Sequence, residues 1–146
     1  MPELDFALLS DYVRVEGGIA HVIAAGVDTV FAPSTPAGQN FGLLFRVAFS
    51  RTECGRPHRV EVIVMAEDGE RLAQISTAVT PAWNDALPAH WSTRLLGGFN
   101  FGVPLPHYGL YSFEIMINDT LAKSLPLRVI EPPFEPPADD EAPGEE

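Results

Sequence analysis

Apolar residues recur mainly at every second position along this chain, and glycine, proline, asparagine and aspartate interrupt them at short intervals. A period of two is the signature of strands whose side chains alternate between two faces. Amphipathic runs of helix length are missing. The pattern predicts eight strands. The first covers residues 4–15, and Glu16-Gly17-Gly18 turns it into a second at 19–31, since glycine tolerates the positive φ of tight turns. Residues 32–40 read as a loop before a third strand at 41–50. The stretch 51–57 then leads to a fourth at 58–67, where Val60, Val62 and Val64 alternate with Glu61, Ile63 and Met65. Asp68-Gly69 marks a two-residue hairpin into a fifth strand at 70–79.

Residues 80–92 form the longest interruption, a crossing loop with room for a helical turn, and hold both tryptophans and two prolines. A sixth strand at 93–103 contains Gly97 and Gly98, which predict a bulge or a close backbone approach. The seventh and eighth, at 110–117 and 120–130, join through Asn118-Asp119, residues that accept the left-handed turn conformation. Pro126 cannot donate to a ladder, so the eighth strand is expected at an edge or bulged there.

In Gly109-Leu110-Tyr111-Ser112-Phe113 a tyrosine follows a glycine by two and precedes an aromatic by two, with Tyr111, Phe113, Ile115 and Ile117 on one strand face. This resembles the tyrosine-corner region of immunoglobulin-like sandwiches, with Phe113 where the second core cysteine stands. There is no cysteine pair, and Trp83 and Trp91 lie outside the core strands, so the likeness implies a fibronectin-like or divergent sandwich rather than an antibody-type domain. More broadly, DFALLSDYVRVEGGIAHVIAAGVDTVFAP, GLLFRVAFSRTECGRPHRVEVIVMAEDGE and GLYSFEIMINDTLAKSLPLRV are similar to a family of short bacterial proteins with a domain of unknown function. That resemblance implies a single bacterial domain and carries no activity with it. The expected fold is an all-β, antiparallel β-sandwich over residues 1–130, immunoglobulin-like in the broad sense.

Composition narrows the function. The 146 residues suit one domain, and a hydrophobic share of 46% is enough for a core without disulfides or structural metal. Cys54 is the single cysteine, which fits a reducing cytoplasm. The first residues carry Glu3 and Asp5 where a secretory signal carries bases, and no run approaches the roughly 20 apolar residues of a membrane span. A soluble, cytoplasmic protein is expected. Residues 131–146 hold seven acids and no base, which accounts for −7 of the net −11 and leaves −4 on the rest. This proline- and acid-rich stretch has one large apolar group, Phe134, and is expected to be a disordered tail. It reads as a solubilising extension or an acidic adaptor for a basic partner. The nine scattered bases argue against nucleic acid and against anionic membranes.

Three constellations carry candidate chemistry. In Arg51-Thr52-Glu53-Cys54-Gly55-Arg56-Pro57-His58, flanking arginines can depress the thiol pKa and His58 can serve as a base, as in a thiol enzyme or redox sensor. A polar hairpin loop with an incidental cysteine explains the same residues. His21, His58, His90 and His107 lie in four separate segments without metal-ligand spacing, and His21 reads as a partly buried strand residue. The aromatic loop, with Trp83, Asn84, Asp85, His90 and Trp91, can stack on sugars or anchor a protein, unless both indoles fold back to cap the sandwich. Phosphate loops, catalytic carboxylate pairs and a nucleophile elbow are not visible. The sequence therefore points to a non-enzymatic protein-binding or assembly module, with no cofactor and no metal. A small-ligand or carbohydrate-binding domain using the same loop comes second, and a Cys54/His58 enzyme third.

Overall fold

A computed structural model describes residues 1–133, so most of the stretch expected as a tail lies outside the described residues. Ten strands follow in chain order: β1 (Glu3–Ser10), β2 (Tyr12–Glu16), β3 (Ile19–Ile23), β4 (Thr29–Phe31), β5 (Ala37–Phe49), β6 (His58–Ala66), β7 (Arg71–Val79), β8 (Thr93–Leu105), β9 (Gly109–Ile117) and β10 (Thr120–Ile130). A single 3-10 turn, Arg51–Glu53, precedes β6, and the described residues hold no α-helix.

The strands pair as a three-stranded sheet, β1-β5-β8, a five-stranded sheet, β4-β10-β9-β6-β7, and the separate hairpin β2-β3. Every pair is antiparallel except β4, which runs parallel to the end of β10 over Thr29 to Phe31. In immunoglobulin lettering β1, β5 and β8 take the A, B and E places and β6, β9 and β10 the C, F and G places. The domain is an antiparallel β-sandwich, immunoglobulin-like in the broad sense.

The alternation explains why the sheets face each other. Phe41, Leu43, Phe45, Val47 and Phe49 of β5 meet Val60, Val62 and Val64 of β6 and Tyr111, Phe113, Ile115 and Ile117 of β9, all at most 3% exposed. Burial this complete pins register, because a one-residue slip would send each row to solvent. Phe41 and Phe113 meet edge to face at 5.2 Å between β5 and β9, where antibody domains place their inter-sheet disulfide. The tyrosine corner forms as the resemblance implied: the Tyr111 hydroxyl donates to the His107 carbonyl four residues upstream and accepts from the His107 N–H at 3.2 Å.

The first two expected strands each divide. Ser10 ends β1, and Ala24 and Gly26, both at positive φ, separate β3 from β4. The resulting β2-β3 hairpin lies against β5 and β8 of the three-stranded sheet. Val13 donates to Asn100 Oδ1 at 2.9 Å and accepts from Asn100 Nδ2 at 2.6 Å. Gly42 and Gly98 make room for it, since a Cβ on Gly98 would sit 2.9 Å from a Val13 methyl carbon. The pair Gly97-Gly98 therefore serves close approach, and β5 and β8 keep continuous register past both. Pro126 sits where β10 has β9 on one side only, because β4 reaches no further than Arg128. Residues 37–40, expected as loop, extend β5. Asp68-Gly69 lies in a wider turn closed by Gly69 N–H to Ala66 carbonyl and Ala66 N–H to Glu70 carbonyl.

Candidate functional site

The stretch with the most reactive residue types is tied down by hydrogen bonds. Glu53 folds back so that its Oε1 accepts the Ser50 N–H at 2.8 Å, while Oε2 meets the Met1 ammonium. Burial pushes the Glu53 carboxyl up, but the ammonium and the Ser50 donors outweigh it and hold it below its usual range. The Cys54 thiol points to the Ser50 carbonyl at 3.4 Å. Desolvation, and next the Glu53 charge, push that thiol up, the reverse of the activation that Arg51 and Arg56 suggested in sequence. Arg56 spends its guanidinium on the Thr52 carbonyl at 3.0 Å.

His58 is 6% exposed and bonded on both ring nitrogens, with Nε2 2.6 Å from the Glu53 carbonyl and Nδ1 2.9 Å from Asn118 Nδ2. Asn118 Oδ1 accepts the Arg59 N–H at 2.9 Å, which orients the amide so that Nδ2 donates to Nδ1. The ring is therefore the Nε2–H tautomer, with no nitrogen facing Cys54. An open hollow of about 350 Å³ beside it is lined by Glu53, Arg56, His58 and Asn118 among others, and Cys54 is not part of the wall.

The other histidines stay apart. His21 is exposed on β3 rather than partly buried, and His107 stacks on Tyr111 at 5.7 Å. Among the described residues no group of three or more His, Cys, Asp or Glu is placed to hold a metal ion.

Residues 80–92 link β7 of one sheet to β8 of the other as a crossing loop of turns and bends, with no helix. Pro81 is buried, and its carbonyl accepts the Gly55 N–H at 2.9 Å, anchoring the loop's start. Asn84 makes a local turn, its Oδ1 accepting the Ala86 N–H at 2.9 Å and its carbonyl the Leu87 N–H at 2.9 Å. Asn84, Asp85 and His90 are exposed and Trp83 is half-buried. Trp91 is 53% exposed, and His90 meets it edge-on at 6.5 Å. The two indoles thus differ: Trp83 turns partly into the protein, and Trp91 stands out beside an imidazole.

The hairpin β2-β3 adds a surface that sequence reasoning missed. Val13, Val15, Ala20 and Val22 form its more buried face, and Tyr12, Ile19 and Ile23 are 47%, 63% and 60% exposed on the other. The signal was present in the alternation of residues 19–23, but reading 4–15 and 19–31 as two long strands hid it. Glu61, on the outward face of β6, is 5% exposed and accepts from Gln74 Nε2 and Arg59.

Residues 5–130 match the model of a family described as a family of unknown function (DUF6941). The chain belongs to that family. No curated protein matches the chain. Among solved structures it is similar to a glycosyl hydrolase family 2 member from Bacteroides cellulosilyticus DSM 14838, at 11% identity and a TM-score of 0.46 over 86% of this chain and 15% of that one. The C-terminal domain of wzt aligns at 15% identity and a TM-score of 0.45, over 90% of this chain and 74% of that one. An immunoglobulin-like protein from Pseudomonas aeruginosa aligns at 12% identity and a TM-score of 0.37, over 88% and 96%. The DUF6941 chain thus spans about a seventh of the hydrolase. No helix among its described residues is long and apolar enough to cross a membrane.

Proposed function

We propose that this DUF6941 domain is a non-enzymatic protein-binding or assembly module that recognises its partner through residues 80–92. The observation that carries this reading is the 53% exposure of Trp91 on a loop whose start is anchored by the Pro81 carbonyl. A large aromatic held out of the core on an anchored loop loses little conformational freedom when a partner covers it, and such residues dominate binding energy at interfaces. His90 at its edge supplies a polar rim.

Two further observations favour binding over catalysis. His58 has both ring nitrogens engaged, and the Cys54 thiol is pushed above its usual range, so neither is prepared for nucleophilic chemistry. A sugar is a weaker fit than a protein, because Asn84 commits its side-chain oxygen to a turn and leaves the loop fewer free acceptors around one exposed indole. Tagged protein purified from its native cell, alongside the same protein on a glycan array, separates these readings. A stoichiometric protein partner with a blank array supports the proposal. Selective glycan binding with no protein partner overturns it.

A further inference from the structure

Two connections cross the sandwich at the same end. Residues 50–57 run from Phe49 to His58 and residues 80–92 from Val79 to Thr93, while Phe49 pairs with Thr93 and His58 with Val79. The Gly55 N–H joins them by donating to the Pro81 carbonyl. Arg51 and Trp91 each stand two residues beyond the pair formed by Phe49 and Thr93. The Arg56 guanidinium donates to the carbonyl of Thr52, the residue after Arg51, at 3.0 Å, which brings it back toward Arg51. Most other bases are occupied: Arg14 pairs with Glu16, Arg46 and Arg94 with Asp5, and Arg59 with Asp119 and Glu61. Arg128 bonds the Thr29 hydroxyl, and Arg71 and Lys123 stand singly on β7 and β10. Arg51 and Arg56 are exposed and have no carboxylate partner among the described residues, since Glu53 between them is held by the Ser50 N–H and the Met1 ammonium. Among the described residues this is the one place where two uncompensated bases adjoin an exposed large aromatic.

We infer that this end binds residues 131–146 of a second copy, with Phe134 against Trp91 and the carboxylates that follow it on Arg51 and Arg56. The inference rests on the reading of residues 80–92 as the binding loop and names the partner it takes. That stretch has the matching chemistry: seven acids, no base, and Phe134 as its large apolar group. Carboxylates engage arginine through two parallel hydrogen bonds, and an aromatic ring packs well on an exposed indole. Prolines 132, 133, 136 and 137 restrict the backbone on both sides of Phe134, so less freedom is lost on docking. Placement makes the contact one between copies. β10 runs from Thr120, paired with Ile117 at the end where β6 starts, to Ile130 at the opposite end. Those ends lie about 33 Å apart at about 3.3 Å per residue, whereas the stretch from Ile130 to Phe134 spans about 14 Å at most. Phe134 therefore cannot reach Trp91 of its own domain and is presented to the next. A contact between unlike surfaces repeats, so copies join head to tail in an open chain. Repulsion between copies of net charge −11 is screened beyond about 8 Å at physiological salt, which leaves the local pairs to decide.

Sedimentation equilibrium of the full chain tests this: the average mass should rise with concentration above the 15.9 kDa of one copy. Arg51→Glu with Arg56→Glu blocks the site and keeps the acidic stretch. Phe134→Ser with Asp139→Lys and Asp140→Lys does the opposite. Each variant alone should stay at the single-copy mass with its far-UV spectrum like that of the wild type. Their equimolar mixture should reach twice that mass and go no further, because each pair then has one working contact. A wild type that stays monomeric up to millimolar concentration overturns the inference, as does a mixture no heavier than its components. Variants that assemble as the wild type does overturn it too. A monomeric wild type that captures another protein through Trp91 removes this partner and leaves the function proposed above standing. Assembly lost in the arginine variant but kept in Trp91→Ala supports the docked stretch and removes residues 80–92 from the binding surface.

Discussion

Asn118 fixes the tautomer of His58: its Nδ2 donates to Nδ1 across 2.9 Å, and the ring's Nε2–H is left for the Glu53 carbonyl. One turn residue thereby closes the start of β6, because the same side chain accepts the Arg59 N–H and the Asn118 N–H donates to the Arg59 carbonyl at 2.9 Å. A histidine and a cysteine four residues apart look like a dyad in sequence. Folded, the histidine is a structural bracket.

Replacing Asn118 tests that bracket. Asn118 has φ 50°, which glycine adopts without strain, so Asn118→Gly removes the side-chain bonds and little else. It should cost about 2 kcal/mol, the scale of a buried ring nitrogen left without its partner. Urea denaturation measures the loss, and an unchanged midpoint would show that the bracket contributes nothing.

Cys54 should be a slow thiol. Desolvation and the Glu53 charge raise its pKa, so the pH profile of iodoacetamide alkylation should lie to the alkaline side of free cysteine. A profile shifted to the acid side would revive the activated-thiol reading.

Glu53 should make stability depend on pH in the acid range. Its folded pKa lies below the ordinary 4.5, so the folded state gains from the ionised form. That gain is present above 4.5 and is lost as pH falls through the depressed value. Glu53→Gln should cost about 1.5–3 kcal/mol at neutral pH, the range of a charge-assisted hydrogen bond, and its deficit should shrink as the solution is acidified. A deficit that stays constant with pH would assign the loss to packing instead.

Tyr111→Phe should cost about 1–2 kcal/mol, since it deletes a buried hydroxyl that both donates to and accepts from His107. The ring keeps its stack on His107, so thermal unfolding should remain a single transition at a lower midpoint. No shift would mean that the corner is decorative.

The sandwich was legible because burial and period agree. Phe113, Ile115 and Ile117 vanish into the core from a strand whose alternation is uninterrupted, and Thr120–Ile130 begins and ends where expected. The chain's first third was less legible. Continuous apolar content across residues 4–31 concealed a break at Ser10 and another at Ala24, which adopts positive φ without being glycine. Composition alone gives no sign of that conformation. The Cys54 stretch misled for a related reason: sequence shows which groups are near, whereas pKa depends on which bonds they make, and the arginines turned elsewhere. For residues 80–92, sequence located both indoles but had no means of telling half-buried Trp83 from exposed Trp91.

The central claim is that Trp91 is exposed for a partner rather than for the fold. The direct measurement pairs thermal denaturation of wild type and Trp91→Ala with quantitative capture of the native protein partner. At 53% exposure the indole contributes little to the core, so the melting temperature should stay within about 2 °C, the scale of a shift well under 1 kcal/mol. Capture should fall at least about tenfold, the loss expected when an anchoring aromatic worth about 1.4 kcal/mol or more is removed. A lowered melting temperature with capture intact would contradict the account and return Trp91 to a structural role.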